Sequence, residues 1–156
     1  MRGWPDLLVM NVGVWIILLS LAGLVISIYF TLAYYGRVRK ARWVPEILCA
    51  REGSSCVTVL QTPYACVFGV PNSLLGIIYY LGLIIWLNLR ISVAGVAAFL
   101  VAIATVALTV AIGVSVLLGF YLIYALRMKL RINCPLCYAV HAINAVLLIL
   151  LIVPVR

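Results

Sequence analysis

The sequence predicts an all-α integral membrane protein, a bundle of four transmembrane helices with one long cysteine-bearing loop between helices 1 and 2. Three observations carry that expectation. Of the 156 residues 68% are hydrophobic, and the mean hydropathy is +1.31, which no soluble globule approaches. The apolar residues gather in runs long enough to cross a hydrocarbon core of ~30 Å, which takes about 20 helical residues. The acids are only Asp6, Glu46 and Glu52 against 11 Lys and Arg, and the basic residues cluster in short segments between the runs. There they read as topology signals and contacts to membrane lipids, so the net charge of +8 does not point to nucleic acid.

The first run covers about residues 7–35. It is too long for a signal-peptide core, no small-residue cleavage site precedes a soluble domain, and it is therefore read as a span. Residues 36–72 form the long polar connection, with Cys49, Cys56, Cys66, three prolines, Glu46 and Glu52. A loop of this size in so small a protein reads as functional. Within it, Ser54-Ser55-Cys56-Val57 predicts a short helix opened by a serine cap and stopped by Pro63. Val57 and Leu60 would turn toward the membrane, making the helix an amphipathic lid.

The second span, about 73–89, follows Asn72 and ends at Asn88-Leu89-Arg90. The third, about 92–126, is roughly 50 Å long as a helix, well beyond the hydrocarbon thickness. Division at Gly113 would leave two marginal halves with no polar turn between them, so one tilted or protruding helix is expected. Ala107, Ala111, Ser115 and Gly119 recur every four residues, a small-residue stripe along which another helix can approach. Arg127, Lys129 and Arg131 end this helix, and the fourth span covers about 134–153. The whole chain, 1–156, reads as one transmembrane domain. Four spans put both termini on one side of the membrane, and the 36–72 loop and the 127–133 connection on the other.

That topology gathers two cysteine pairs, Cys49/Cys56 and Cys134/Cys137, on one membrane face. Cys134-Pro135-Leu136-Cys137 places two thiols within one turn at a helix N-terminus, where a thiolate is stabilised. A loop pair can take electrons from a substrate protein and pass them by thiolate attack to the membrane pair. The membrane pair then needs a two-electron acceptor inside the bilayer, and a quinone meets that need. Two non-enzymatic readings compete. A four-cysteine zinc site would need Cys49 and Cys56 to act as a knuckle across six intervening residues, a loose spacing, with Cys134 and Cys137 at membrane depth. Purely structural disulfides would leave the easily reduced Cys-x-x-Cys placement unexplained. The redox reading requires no metal. Cys66 reads as a buried apolar filler. His141, one turn beyond Cys137 on the same helix face, reads as functional because a polar ring inside a span is costly. Asn72 serves equally as a helix cap or as a hydrogen-bond donor to a quinone.

These residues carry a resemblance. Cys49, Ser55-Cys56, the segment Phe68-Gly69-Val70-Pro71-Asn72-Ser73 leading into Gly76-Ile77-Ile78-Tyr79-Tyr80, and Cys134-Pro135-Leu136-Cys137 followed by Ala142-Ile143-Asn144 resemble the vitamin K epoxide reductase family over essentially the whole chain. The resemblance is to prokaryotic members that oxidise protein dithiols. It implies a four-helix bundle around a quinone, with Cys137 beside the quinone ring, Cys134 exchanging with Cys56, and Cys49 meeting the partner's thiol. It also implies that Asn72 hydrogen-bonds the quinone. Thr62 stands where the family commonly has a serine, keeping a hydroxyl, and His141 stands where many members have a tyrosine, keeping a hydrogen-bonding group. Bacterial relatives often carry a fused thioredoxin-like domain; this chain ends at Arg156, so a separate thioredoxin-like partner is expected. Reduction of the quinone or of vitamin K epoxide as the main role is the alternative within the family.

The charges bear on orientation in the cell membrane. The cysteine-bearing face holds Arg37, Arg39, Lys40, Arg42, Arg51, Arg127, Lys129 and Arg131, and the opposite face holds Arg2, Arg90 and Arg156. The positive-inside rule then places the redox loop in the cytoplasm. Family members usually act on the outer or lumenal face, which makes an extracytoplasmic loop the alternative. Cytoplasmic disulfide formation suits a hyperthermophilic, archaeal source.

Overall fold

The computed structural model describes residues 4–37, 55–67, 69–92 and 97–152. Cys49, the loop arginines beyond Arg37 and the predicted Ser54 cap lie outside the described residues, as do the side chains of Cys56 and Val57. Helix α1 covers Trp4–Tyr34, α2 Ser55–Leu60, α3 Asn72–Ser92, α4 Ala97–Tyr124 and α5 Pro135–Ile152. Strands β1, Cys66–Val67, and β2, Val70–Pro71, make a small antiparallel hairpin. Four helical stretches, Val12–Tyr34, Asn72–Leu89, Phe99–Leu130 and Pro135–Ile152, are long and apolar enough to cross a membrane.

The chain reverses where sequence chemistry allows it. After α1, Gly36 adopts φ 67°, and the Gly36 and Arg37 amides bond the carbonyls of Ala33 and Leu32 at 3.1 and 2.9 Å. This is the Schellman arrangement that glycine permits at no steric cost. Gly69, at φ 79°, closes the hairpin that delivers Pro71 and Asn72 to the start of α3. Pro63 does not simply stop α2: it opens a 3-10 turn, Pro63–Ala65, leading into β1.

Helix α4 passes Gly113 unbroken, as the missing polar turn requires. It does not end at Leu126, however. Residues Ala125–Leu130 continue as a π-helical turn, and Arg131, in the left-handed region at φ 52°, closes it. The basic residues expected to terminate the helix therefore ride on its wider last turn.

Helix α1 packs on α3 and α5, and α4 packs on the same two from the other side, closing a four-helix ring. Ile16, Tyr80, Leu83, Trp86, Leu87, Ile112 and Leu147 fill the centre. Large apolar side chains such as Val25, Ile78, Phe99 and Leu117 stay exposed on the outside, as lipid-facing residues do. Because lipid offers no hydrophobic drive between helices, small residues and side-chain hydrogen bonds carry the packing. The Tyr80 ring occupies the space where a side chain at Gly23 would stand. Tyr80 Oη donates to Asn144 Oδ1 at 2.6 Å, tying α3 to α5, and Trp86 Nε1 donates to Thr105 Oγ1 at 3.0 Å, tying α3 to α4. The hydroxyls of Thr31 and Ser73 meet at 2.9 Å between α1 and α3. The predicted stripe on α4 is used only in part. Ala107 and Ala111 are exposed, whereas Gly119 is buried against the ring of His141.

Candidate functional site

The hydrophobic run of α5 begins with a proline, which suits a first helical position because its missing N–H would have no partner there. Cys134 immediately precedes it and is fully buried. Cys137 follows within the first turn, and the two sulfurs lie 2.7 Å apart as thiols. Only a small side-chain adjustment separates that arrangement from a disulfide. The Cys137 thiol donates to the Cys134 sulfur, which stands just before the first turn of α5.

Phe30 of α1 covers Cys134, with Val59 and Leu60 of α2 and Leu136 packed against the same cluster. Leu60 therefore faces protein, not the membrane as the lid expectation had it. Cys56 belongs to α2, one turn before Val59 and Leu60. The short helix that carries the second loop cysteine thus lies over the membrane pair.

Inward from Cys137 is a cavity of about 410 Å³, within the usual size of small-molecule sites. Cys137, His141 and Asn144 line it from α5, Asn72, Gly76, Tyr79 and Tyr80 from α3, and Leu118, Tyr121 and Leu122 from α4. Tyr64 and Cys66 close the end toward the loop. Its wall is mainly apolar, with Asn72, Tyr79 and His141 among the residues that form it. Within these three residues Asn72 Oδ1, Tyr79 Oη and His141 Nδ1 are closed over by protein and have no hydrogen-bond partner among the described residues. Two glycines let side chains of the neighbouring helices pack close at this level. A Cβ at Gly119 would stand 2.6 Å from His141 Nδ1, and one at Gly76 would stand 2.7 Å from Ser27 Oγ.

Among the described residues, the expected site residues take distinct places. Cys134 and Cys137 are together, and Asn72 and His141 share the cavity with Cys137. Asn72 Nδ2 donates to the Tyr64 carbonyl at 2.9 Å, which anchors the 3-10 turn to α3 and orients the amide. Thr62 is not part of the cavity wall. Its hydroxyl donates to the Val59 carbonyl at 2.7 Å and secures the end of α2, a backbone task that short hydroxyl side chains commonly take. Cys66 is half-buried, lines the cavity and lies 3.7 Å from Tyr34 Oη, so it is not the buried filler expected. Tyr79, Gly76 and Gly119 were not singled out for the site from sequence. Position alone signals the first two, since they follow Asn72 by seven and four residues on one helix face.

An apolar helical bundle that carries a close pair of thiols beside a cavity has the architecture of a membrane redox protein. The model of the Vitamin K epoxide reductase family matches residues 14–152, nearly the whole chain, and the protein belongs to that family. No curated protein matches it. Membership makes it a multi-pass membrane oxidoreductase of quinone-linked thiol or epoxide chemistry.

The family uses quinones as electron partners. The cavity fits one: its volume suits a small ring, its wall is mainly apolar, and Cys137, Asn72 and His141 are among the residues that form it.

Proposed function

We propose that the protein oxidises the dithiol of a separate thioredoxin-like partner and passes the two electrons through two cysteine pairs to a quinone. The observation that carries this reading is the Cys134–Cys137 thiol pair, 2.7 Å apart, with Cys137 in the wall of a cavity that Asn72 and His141 also line. The chain reads as one domain, and its cysteine-bearing loop faces the cytoplasm.

The cycle begins when a partner thiolate attacks Cys49 of a Cys49–Cys56 disulfide. The partner's second thiol resolves the mixed disulfide, leaving the partner oxidised and both loop cysteines reduced. Cys56 then attacks Cys134 of a Cys134–Cys137 disulfide and Cys137 leaves as a thiolate. Cys49 closes back onto Cys56, so the membrane pair is now the reduced one. Cys134, which takes a hydrogen bond from Cys137, serves as the attacking sulfur when the membrane disulfide re-forms. Two electrons and two protons leave the pair in that step, and a bound quinone takes them up as the quinol. Asn72 and His141 orient the ring beside Cys137, and the apolar wall keeps water from the exchange.

The test is quinone reduction by the detergent-purified protein with a dithiol donor, followed by absorbance. The parent is expected to turn over and Cys137→Ala to lose turnover by several orders of magnitude. A folded parent that reduces none of a panel of quinones would sink the reading in favour of a structural or metal-binding role.

A further inference from the structure

Helix α2 is six residues long, too short to hold its own position. On one side it rests against Phe30 of α1, and at its end it runs into the 3-10 turn Pro63–Ala65. The link between helix and turn is stiff. The Gln61 amide donates to the Thr58 carbonyl at 3.2 Å, the Thr62 amide to Val59 at 3.1 Å, and the Ala65 amide to Thr62 at 3.0 Å. Whatever fixes the 3-10 turn therefore also fixes α2 above Cys134.

Tyr64 fixes it from the middle of the turn, at two points on two helices. Its carbonyl accepts from Asn72 Nδ2 on α3, and its ring centre lies 6.2 Å from that of Tyr121 on α4. Lys129 joins the two rings, with Nζ 5.9 Å from the centre of Tyr64 and 6.0 Å from that of Tyr121. A cation at such a distance over a ring is attracted by its negative face.

The π-helical turn accounts for the reach of Lys129. Eight residues separate it from Tyr121, and in a regular α-helix that is about a fifth of a turn past two full turns. The hydrogen bonds of a π-turn span one residue more, so Ala125–Leu130 takes up the surplus and returns Lys129 to the face of Tyr121. Such turns recur at functional sites.

Resting on the relay proposed above, we propose that Lys129 is a positioning residue: acting through Tyr64, it clamps the 3-10 turn onto α4 and so holds α2, which carries Cys56, over Cys134 for internal thiol exchange. Nothing reacts at Lys129 itself. The clamp governs transfer between the two cysteine pairs and leaves the chemistry of the membrane pair alone.

Disulfide closure between Cys56 and Cys134 tests this in the full chain carrying Cys49→Ser and Cys137→Ser, where both thiols lack their usual partners. Excess glutathione disulfide forms a mixed disulfide with one of the two thiols, and the other then displaces glutathione in the internal step. The two protein thiols become one disulfide, and two glutathione thiols are released. Mass spectrometry of the bonded peptides gives the time course. Lys129→Gln is expected to slow closure about fivefold, the factor that loss of a surface cation–ring contact brings, with an unchanged thermal midpoint. Lys129→Arg keeps the cation and should restore closure to within about twofold, whereas Tyr64→Leu should slow it at least as much as Lys129→Gln. Unchanged closure in Lys129→Gln, no rescue by Lys129→Arg, or a lowered midpoint in Lys129→Gln would each overturn the clamp while leaving the relay intact. A background protein that retains Lys129 and never joins Cys56 to Cys134 would remove the relay and the clamp with it.

Discussion

Cys134 and Cys137 are the same residue type three positions apart, yet their surroundings divide their tasks. Cys134 is sealed under Phe30 and takes a hydrogen bond from its neighbour, whereas Cys137 opens on the cavity. The pair is placed to close a disulfide between its own members. On mild oxidation the parent should lose both thiols together, which mass spectrometry of the peptide spanning Cys134 and Cys137 would show as a loss of two hydrogens. Oxidised protein that keeps both thiols would mean that the two do not pair. In the sequence, the spacing and helix-start position of the pair were readable. The covering residue Phe30 was not, because it comes from a helix more than a hundred residues away in the chain.

At the scale of elements, helix packing rests on what glycines leave out. Gly23 admits the Tyr80 ring between α1 and α3, and that ring in turn presents the hydroxyl that reaches Asn144 on α5. Gly23→Ala would place a methyl group against the ring and disturb three helices at once. The expected loss is about 1–3 kcal/mol, typical of an overpacked core, measured as a lowered midpoint in detergent unfolding. An unchanged midpoint would show that α1 yields freely. Hydropathy revealed the spans, since apolar length alone decides them. It did not reveal which small residues matter. The four-residue stripe on α4 was a fair pattern, but Ala107 and Ala111 face outward and Gly119 alone takes a partner's ring. Periodicity identifies a helix face without saying what stands opposite it. The π-turn at Ala125–Leu130 was equally hidden, because its sequence reads as an ordinary basic helix end.

For the whole molecule, charge distribution is the one property that speaks of the bilayer's two sides. Arg127 and Lys129 lie near the Cys134–Cys137 end beside tyrosines, with Lys129 Nζ 5.9 Å from the Tyr64 ring centre and 6.0 Å from that of Tyr121, and Arg127 5.4 Å from that of Tyr138. Basic and aromatic residues together mark a membrane interface. The sequence assigns eight basic residues to the connections expected on this side and three to the other, and the proposed inward orientation predicts that a reporter fused after Arg156 is extracytoplasmic. Its activity in the cytoplasm would reverse the assignment. The fold class and the cysteine order were readable from sequence because both are local, one in runs of apolar residues and the other in short spacings. The cavity was readable only through family likeness, since its wall is assembled from helices that the chain joins end to end.

The placement of α2 has a kinetic consequence. Only the residues from Gln61 to Pro71 separate it from the start of α3, and Val59 and Leu60 already rest on the cluster around Cys134. In the proposed relay, exchange between Cys56 and Cys134 is therefore a first-order event at an effective concentration on the order of millimolar, as short tethers provide. Dilution would leave that step untouched and slow only the encounter with the proposed partner, so varying the protein concentration separates the two steps.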